Sequence, residues 1–141
     1  MIKILNKALL IFLSIAFLSS QVLAECKCGK FKSTDEAFKS SDVVFLGQVV
    51  TVTNSNILHP DYKVAKVAIV SPYKGVEILP ATEYVTVFTK KDDCGVNFAA
   101  LSDYLIFASG DPAFLTTSTC QLTDIQEKSK ERLIRVDALS R

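Results

Sequence analysis

The residues that could do chemistry are few in this 141-residue chain, and the most informative are Glu25-Cys26-Lys27-Cys28-Gly29. In an extended segment side chains alternate with period two, so Cys26 and Cys28 face the same side. Bonding them to each other would close a small, strained ring, because a disulfide needs Cα atoms about 4.4–6.8 Å apart and well-aimed Cβ vectors. Each more naturally reaches a distant cysteine, and the chain offers Cys94 and Cys120. Four thiolates would also suit zinc or copper, and a Cys-x-Cys could be a redox pair. The long gap between Cys28 and Cys94 differs from the paired CxxC spacing of zinc modules. In an exported chain, four cysteines favour two disulfides over thiol chemistry.

The other candidates read as structural. His59, the only histidine, lies in a proline-containing loop with no Ser or Cys nucleophile motif beside it. It reads as a solvated loop residue, since a general base would need a partner within hydrogen-bond reach. Asp92-Asp93 could hold a cation, but a charged loop is normally just solvated. Tyr62, Tyr73, Tyr84 and Tyr104 fall on or beside predicted strands and read as packing. There is no phosphate loop and no nucleophile elbow. The expectation is a protein that is not an enzyme and holds no cofactor or metal of its own.

Export is itself read from the sequence. Residues 1–24 have the pattern of a secretory signal peptide. Lys3 and Lys7 precede the apolar stretch Ala8 to Leu18, broken only by Ser14, and a polar region ends in Val22-Leu23-Ala24. That stretch is too short for a bilayer, which needs about 20 residues. Glu25 stands where a lipoprotein site would have a small residue. Cleavage after Ala24 leaves residues 25–141, enough for one domain. Losing the two leader lysines takes 16 basic residues to 14 against 15 acidic ones, a net charge of −1. Such a balance gives no support for nucleic acid or an anionic membrane as partner. The expected location is secreted or periplasmic.

The elements that must position these residues follow in order. Ser33-Thr34-Asp35-Glu36 is a capping-box pattern that opens a short helix to about Ser40, with Ala37 and Phe38 available to the core. Asp42 to Thr53 reads as a long strand bent at Gly47 by a bulge or tight packing. Asn54 to Asp61 is a turn-rich loop. Val64 to Val70 is a second strand, broken by Pro72-Tyr73-Lys74-Gly75. Thr82 to Lys90 is a third, Tyr104 to Ala108 a fourth and Phe114 to Cys120 a fifth. A second capping-box pattern, Thr123-Asp124-Ile125-Gln126, opens a C-terminal helix with Ile125, Ser129, Leu133 and Val136 as its inward stripe. On it, Asp124–Lys128 and Glu131–Arg135 are expected i,i+4 pairs. The expected class is mainly β: a five-stranded OB-type barrel with a short N-terminal and a C-terminal helix, stapled by disulfides.

In this order the residues resemble a known family. The Cys-x-Cys, the helix with Ala37-Phe38, the strand Asp42-Val43-Val44-Phe45-Leu46-Gly47, Tyr73-Lys74-Gly75, Cys94-Gly95, Tyr104-Leu105-Ile106-Phe107-Ala108 and a closing cysteine are similar to the netrin-like module. Most of all they resemble the N-terminal inhibitory domain of the tissue inhibitors of metalloproteinases. The resemblance spans nearly the whole of residues 25–141. It implies an OB-type barrel with Cys26 bonded to Cys94 and Cys28 to Cys120. It also implies an inhibitory wedge of Cys26, Lys27 and Cys28, flanked by the Asn54–Asp61 and Lys90–Asp93 loops. In the family the first mature cysteine binds the protease zinc through its α-amino group and carbonyl oxygen, and the next side chain enters the specificity pocket. Those roles would fall on Cys26 and Lys27.

Three departures from the family's pattern are visible. Glu25 precedes Cys26 after cleavage at Ala24. Lys27 places a charge where the family has a small or apolar group. Lys39 follows Ala37-Phe38 where a cysteine of an additional disulfide would be expected. Two functions follow as expectations. One is a monomeric, exported inhibitor of a zinc endopeptidase. The alternative is a non-inhibitory netrin-like protein-binding module outside the cytoplasm.

Overall fold

The computed structural model describes residues 26–29 and 33–141. The leader assigned to residues 1–24, and Glu25, lie outside the described residues. Helix α1 (Thr34–Ser40) is followed by strands β1 (Val43–Asn54), β2 (Tyr62–Lys74), β3 (Val85–Lys90), β4 (Asp103–Ala108), β5 (Leu115–Thr117) and β6 (Asp124–Ile125), and by helix α2 (Lys130–Leu139). The strands form one sheet in the order β5-β3-β2-β1-β4-β6. All neighbours are antiparallel except β3 and β5, which run parallel. The sheet curls into a half-barrel. An isolated bridge between Ser109 and Thr116 brings β5 back to the end of β4, with N–H···O distances of 3.0 and 2.9 Å.

The unbroken apolar runs of β1 and β4 reflect burial on both faces, the condition that removes polar alternation from a strand. Val43, Phe45, Tyr104 and Ile106 point into the curl, where they meet Val67, Val87 and Leu115. Val44, Leu105 and Phe107 point the other way, against Ala37 of α1 and Val136 of α2. Each strand thus joins two cores, one inside the curl and one beneath the helices. Gly47 sits where β1 slips against β2, between Leu46 and Gly47, while its pairing with β4 keeps register. A methyl group there would run into the side chains of Val67 and Phe45, so only glycine lets the strands close at this bend.

Helix α1 begins as its capping box requires. The Glu36 amide donates to Ser33 Oγ at 3.2 Å, and the Ser33 amide donates to Glu36 Oε2 at 3.3 Å. Its far end is held by Lys74, whose ammonium donates to the carbonyls of Phe38, Lys39 and Ser41 at 2.8, 3.1 and 2.6 Å. A cation there also meets the negative end of the helix dipole. Arg135 of α2 clamps Asp35 of α1 with two hydrogen bonds of 2.6 Å. Those bonds hold the Asp35 carboxyl below its ordinary range and raise the Arg135 guanidinium.

Several expectations are corrected. The sheet has six strands, not five. Strand β2 does not break at Pro72 but runs on to Lys74. Its pairing with β3 stops at Val67, so beyond that point β2 bonds only to β1, and proline is tolerated where one strand edge is free. Thr123 does not cap a helix. Its hydroxyl accepts from the Phe107 amide at 2.9 Å and lies 2.6 Å from the hydroxyl of Thr117, which donates to the Phe107 carbonyl at 2.7 Å. With Thr123 engaged on β4, the chain first adds β6 to the sheet, and α2 begins only at Lys130. Neither expected ion pair forms among the described residues. Asp124 meets Arg132 at 3.8 Å, and Arg135 reaches Asp35 instead.

Thr123 is buried at 3 % exposure, so Thr123→Val keeps its shape while leaving the Phe107 amide without an acceptor. The expected loss is about 1–3 kcal/mol, read as a lower urea midpoint at unchanged slope. An unchanged midpoint would show that the Thr123 hydroxyl does not anchor the 115–125 segment.

Candidate functional site

Cys94 and Cys120 lie on two loops that are fastened to each other without help from sulfur. The Thr119 amide and hydroxyl both donate to the Cys94 carbonyl, at 3.0 and 3.2 Å. Before Cys94 the chain turns tightly: the Cys94 amide donates to Asp92 Oδ1 at 3.0 Å, and the Gly95 amide to the Asp92 carbonyl at 3.0 Å. After it, the Val96 amide donates to the buried hydroxyl of Thr89 at 2.7 Å. Gly95 packs so close to the Lys90 carbonyl that any side chain would collide with it. Asp92 thus serves as the acceptor of this turn through both its side chain and its carbonyl.

On this base rests the N-terminal segment. Cys26 is bonded to Cys94 with Cα atoms 4.9 Å apart, and Cys28 to Cys120 with Cα atoms 5.2 Å apart. The two bridges lie side by side: Cys26 Sγ is 3.8 Å from Cys28 Sγ and 3.4 Å from Cys120 Sγ. These sulfurs carry no proton, so the contacts are van der Waals packing. Cys26 and Cys28 are half-buried, while Lys27 and Gly29 are exposed. Among the described residues, no backbone–backbone hydrogen bond ties residues 26–29 to the body. The disulfides hold the segment there.

The surroundings are open. A shallow cleft of about 290 Å³ runs beside Cys94, bordered by Tyr62, Lys90, Asp92, Thr116, Ser118 and Gln121. A second, of about 460 Å³, starts at Gly95 and Thr119 and reaches Asp124, Lys128 and Arg132. With Lys27 exposed between two half-buried, bonded cysteines, the Cys26–Cys28 segment forms a small ridge over the loops of Cys94 and Cys120. The 54–61 and 90–93 loops are tied together by the Lys91 amide, which donates to the Asp61 carbonyl at 2.9 Å. The first of these loops ends in an apolar tip, with Ile57 96 % and Leu58 79 % exposed.

His59 departs from expectation. It is half-buried rather than solvated, stacked on Phe114 with ring centroids 4.1 Å apart and edge-on to Phe88 at 5.7 Å. Tyr62 closes the cluster against Phe114 at 5.3 Å. Such stacking anchors the base of the 54–61 loop while its tip stays exposed. The alternation of aromatics around residues 59–62 and 114 carried no sign of it, because the partners come from separate strands. The anchoring threonines were equally hidden: Thr89, Thr117 and Thr123 are all buried, yet in sequence Thr89 and Thr117 look like ordinary strand residues and Thr123 like a helix cap.

No family model matches this chain. No curated protein matches it significantly either.

The ridge depends on its bridges for stability as well as place. Closing a loop of 92 residues removes about 4–5 kcal/mol of unfolded-state entropy, against a whole-domain stability of about 5–15 kcal/mol. Replacing Cys28 and Cys120 together by serine should lower the guanidinium-derived stability by up to that amount. A loss under about 1 kcal/mol would mean that the Cys28–Cys120 bridge adds little beyond what Cys26–Cys94 already restricts.

Proposed function

We propose that this is an exported, monomeric protein that blocks a zinc endopeptidase with its N-terminal ridge, on a netrin-like barrel of the OB type. The observation that supports this most is the ridge itself: a Cys-x-Cys, bolted at both cysteines to the body, with Lys27 exposed between. The curl of the sheet and the Ser109–Thr116 bridge support a barrel in which β5 meets β4, as five-stranded Greek-key barrels do. The disulfides, and the fact that no helix among the described residues is long and apolar enough to cross a membrane, are compatible with a place outside the cytoplasm.

A catalytic zinc keeps one coordination position for water. An α-amine and a carbonyl oxygen on Cys26, held by two disulfides, can displace that water with little further loss of freedom, because the ligand is ordered beforehand. Lys27 then enters the pocket next to the zinc and selects a protease that accepts a cation there. The apolar tip at Ile57 and Leu58 lies on a flanking loop and adds contact area. No residue of this chain takes a catalytic role in the scheme, and no nucleic acid or membrane enters it.

The amine is available only if Glu25 is removed. With Glu25 present, Cys26 offers an amide nitrogen whose lone pair is delocalised into the peptide bond. That feature, with the charged Lys27, favours the second reading: a non-inhibitory module that binds a protein partner by the same face.

Two forms, one beginning at Cys26 and one at Glu25, decide between the readings when titrated against a panel of zinc endopeptidases. The inhibitor reading expects the Cys26 form to bind more tightly, and expects Lys27→Ala to change which protease is bound. Equal and negligible inhibition by both forms leaves the binding module.

A further inference from the structure

Two disulfides are usually separate objects, but here three of the four sulfurs lie within 4.8 Å of one another, those of Cys26, Cys28 and Cys120. The fourth, of Cys94, is bonded to Cys26. We infer that the reduced chain holds one zinc(II) ion at this point, bound by the thiolates of Cys26, Cys28, Cys94 and Cys120, which replaces both covalent links with a single metal centre.

The geometry supplies the first reason. A tetrahedral zinc with four Zn–S bonds of about 2.3 Å has sulfurs about 3.8 Å apart along each edge. The Cys26–Cys28 and Cys26–Cys120 distances are 3.8 and 3.4 Å, so two edges of that tetrahedron are already near length. The Cys94 sulfur lies outside that trio and has to swing in toward Cys28 and Cys120 as its bond to Cys26 opens. Cys26 and Cys28, two residues apart with their sulfurs 3.8 Å from each other, form one jaw.

The second reason is independent of the sulfurs. The other jaw persists when the disulfides open, because Thr119 binds the Cys94 carbonyl through both its amide and its hydroxyl. The Val96 amide stays on Thr89, and Thr123 holds the following segment to Phe107. Cys94 and Cys120 are thus kept as neighbours by hydrogen bonds, and a metal has only to recapture the N-terminal pair. The exposed Lys27, between two of the ligands, offsets part of the charge of a four-thiolate zinc.

The chemistry balances with a dithiol as reductant. Each disulfide accepts two electrons and two protons from one dithiol, which becomes a cyclic disulfide, giving four thiols in all. Zinc then displaces four protons as four Zn–S bonds form, leaving a centre of net charge −2. Loading is therefore expected to weaken as pH falls, because protons compete for the same sulfurs.

The test uses the exported chain, reduced with a dithiol and freed of it under anaerobic conditions, with cobalt(II) and zinc(II) as probes. One cobalt ion per chain should bind with the strong visible bands of a tetrahedral ion and a thiolate charge-transfer band. One equivalent of zinc should displace it and restore the native circular dichroism. Replacing Cys94 and Cys120 together by serine should weaken cobalt binding by more than about tenfold, as losing ligands costs at least what losing their supports does. A loss smaller than tenfold would show that Cys26 and Cys28 chelate alone and would overturn the proposal. So would an octahedral cobalt spectrum, or metal binding by a chain that stays unfolded. None of these outcomes depends on whether the oxidised protein inhibits a protease.

Discussion

Two adjacent disulfides are the constraint on which the rest depends. The N-terminal segment lies outside every strand and helix, and among the described residues it shares no backbone hydrogen bond with the sheet. A segment of that kind would ordinarily sample many conformations, at about 1–2 kcal/mol of backbone entropy per residue fixed. Cys26–Cys94 and Cys28–Cys120 remove that freedom from both ends of a three-residue stretch. The body is arranged to receive them. Gly95 permits the turn into Cys94, Thr119 fastens the loop of Cys120 to it, and the hydroxyls of Thr117 and Thr123 fix both to β4 through Phe107.

The β scaffold explains why such a base can be stiff. Strands β1 and β4 are buried on both faces, so the core inside the curl and the core beneath the helices share the same backbone. Bending one disturbs the other. The bidentate Arg135–Asp35 pair and the Lys74 cap tie α1 and α2 to that framework from outside. The pair is half-exposed on both sides, so it orients the helices more than it stabilises them. The function proposed above uses the short exposed Cys26–Cys28 segment that this rigid body carries.

Local chemistry was legible wherever its partners were local. The Ser33–Glu36 capping box, the apolar runs of β1 and β4, and the bend at Gly47 each follow from neighbours in the sequence. What stayed hidden was set by distant partners. Thr123 has the pattern of a helix cap, but Phe107 claims its hydroxyl from 16 residues away. Arg135 has Glu131 one turn back, but takes Asp35, 100 residues away. Pro72 looks like a strand breaker until β3 is seen to end before it. His59 looks solvated until Phe88 and Phe114 are placed beside it. The cysteines of the candidate site were legible in the sequence, but which of them pair was implied only by the family resemblance. The site's threonine scaffold was not legible, because the partners that claim the hydroxyls of Thr89, Thr117 and Thr123 lie elsewhere in the sequence.

The central claim is that the Cys26–Cys28 ridge is ordered before it meets any partner, and backbone ¹⁵N relaxation at the Lys27 amide of the free, oxidised protein tests it most directly. The account predicts an order parameter near the rigid value of about 0.85, falling below about 0.6 once the disulfides are reduced in the absence of metal. A Lys27 amide already below about 0.6 with both disulfides intact would contradict it.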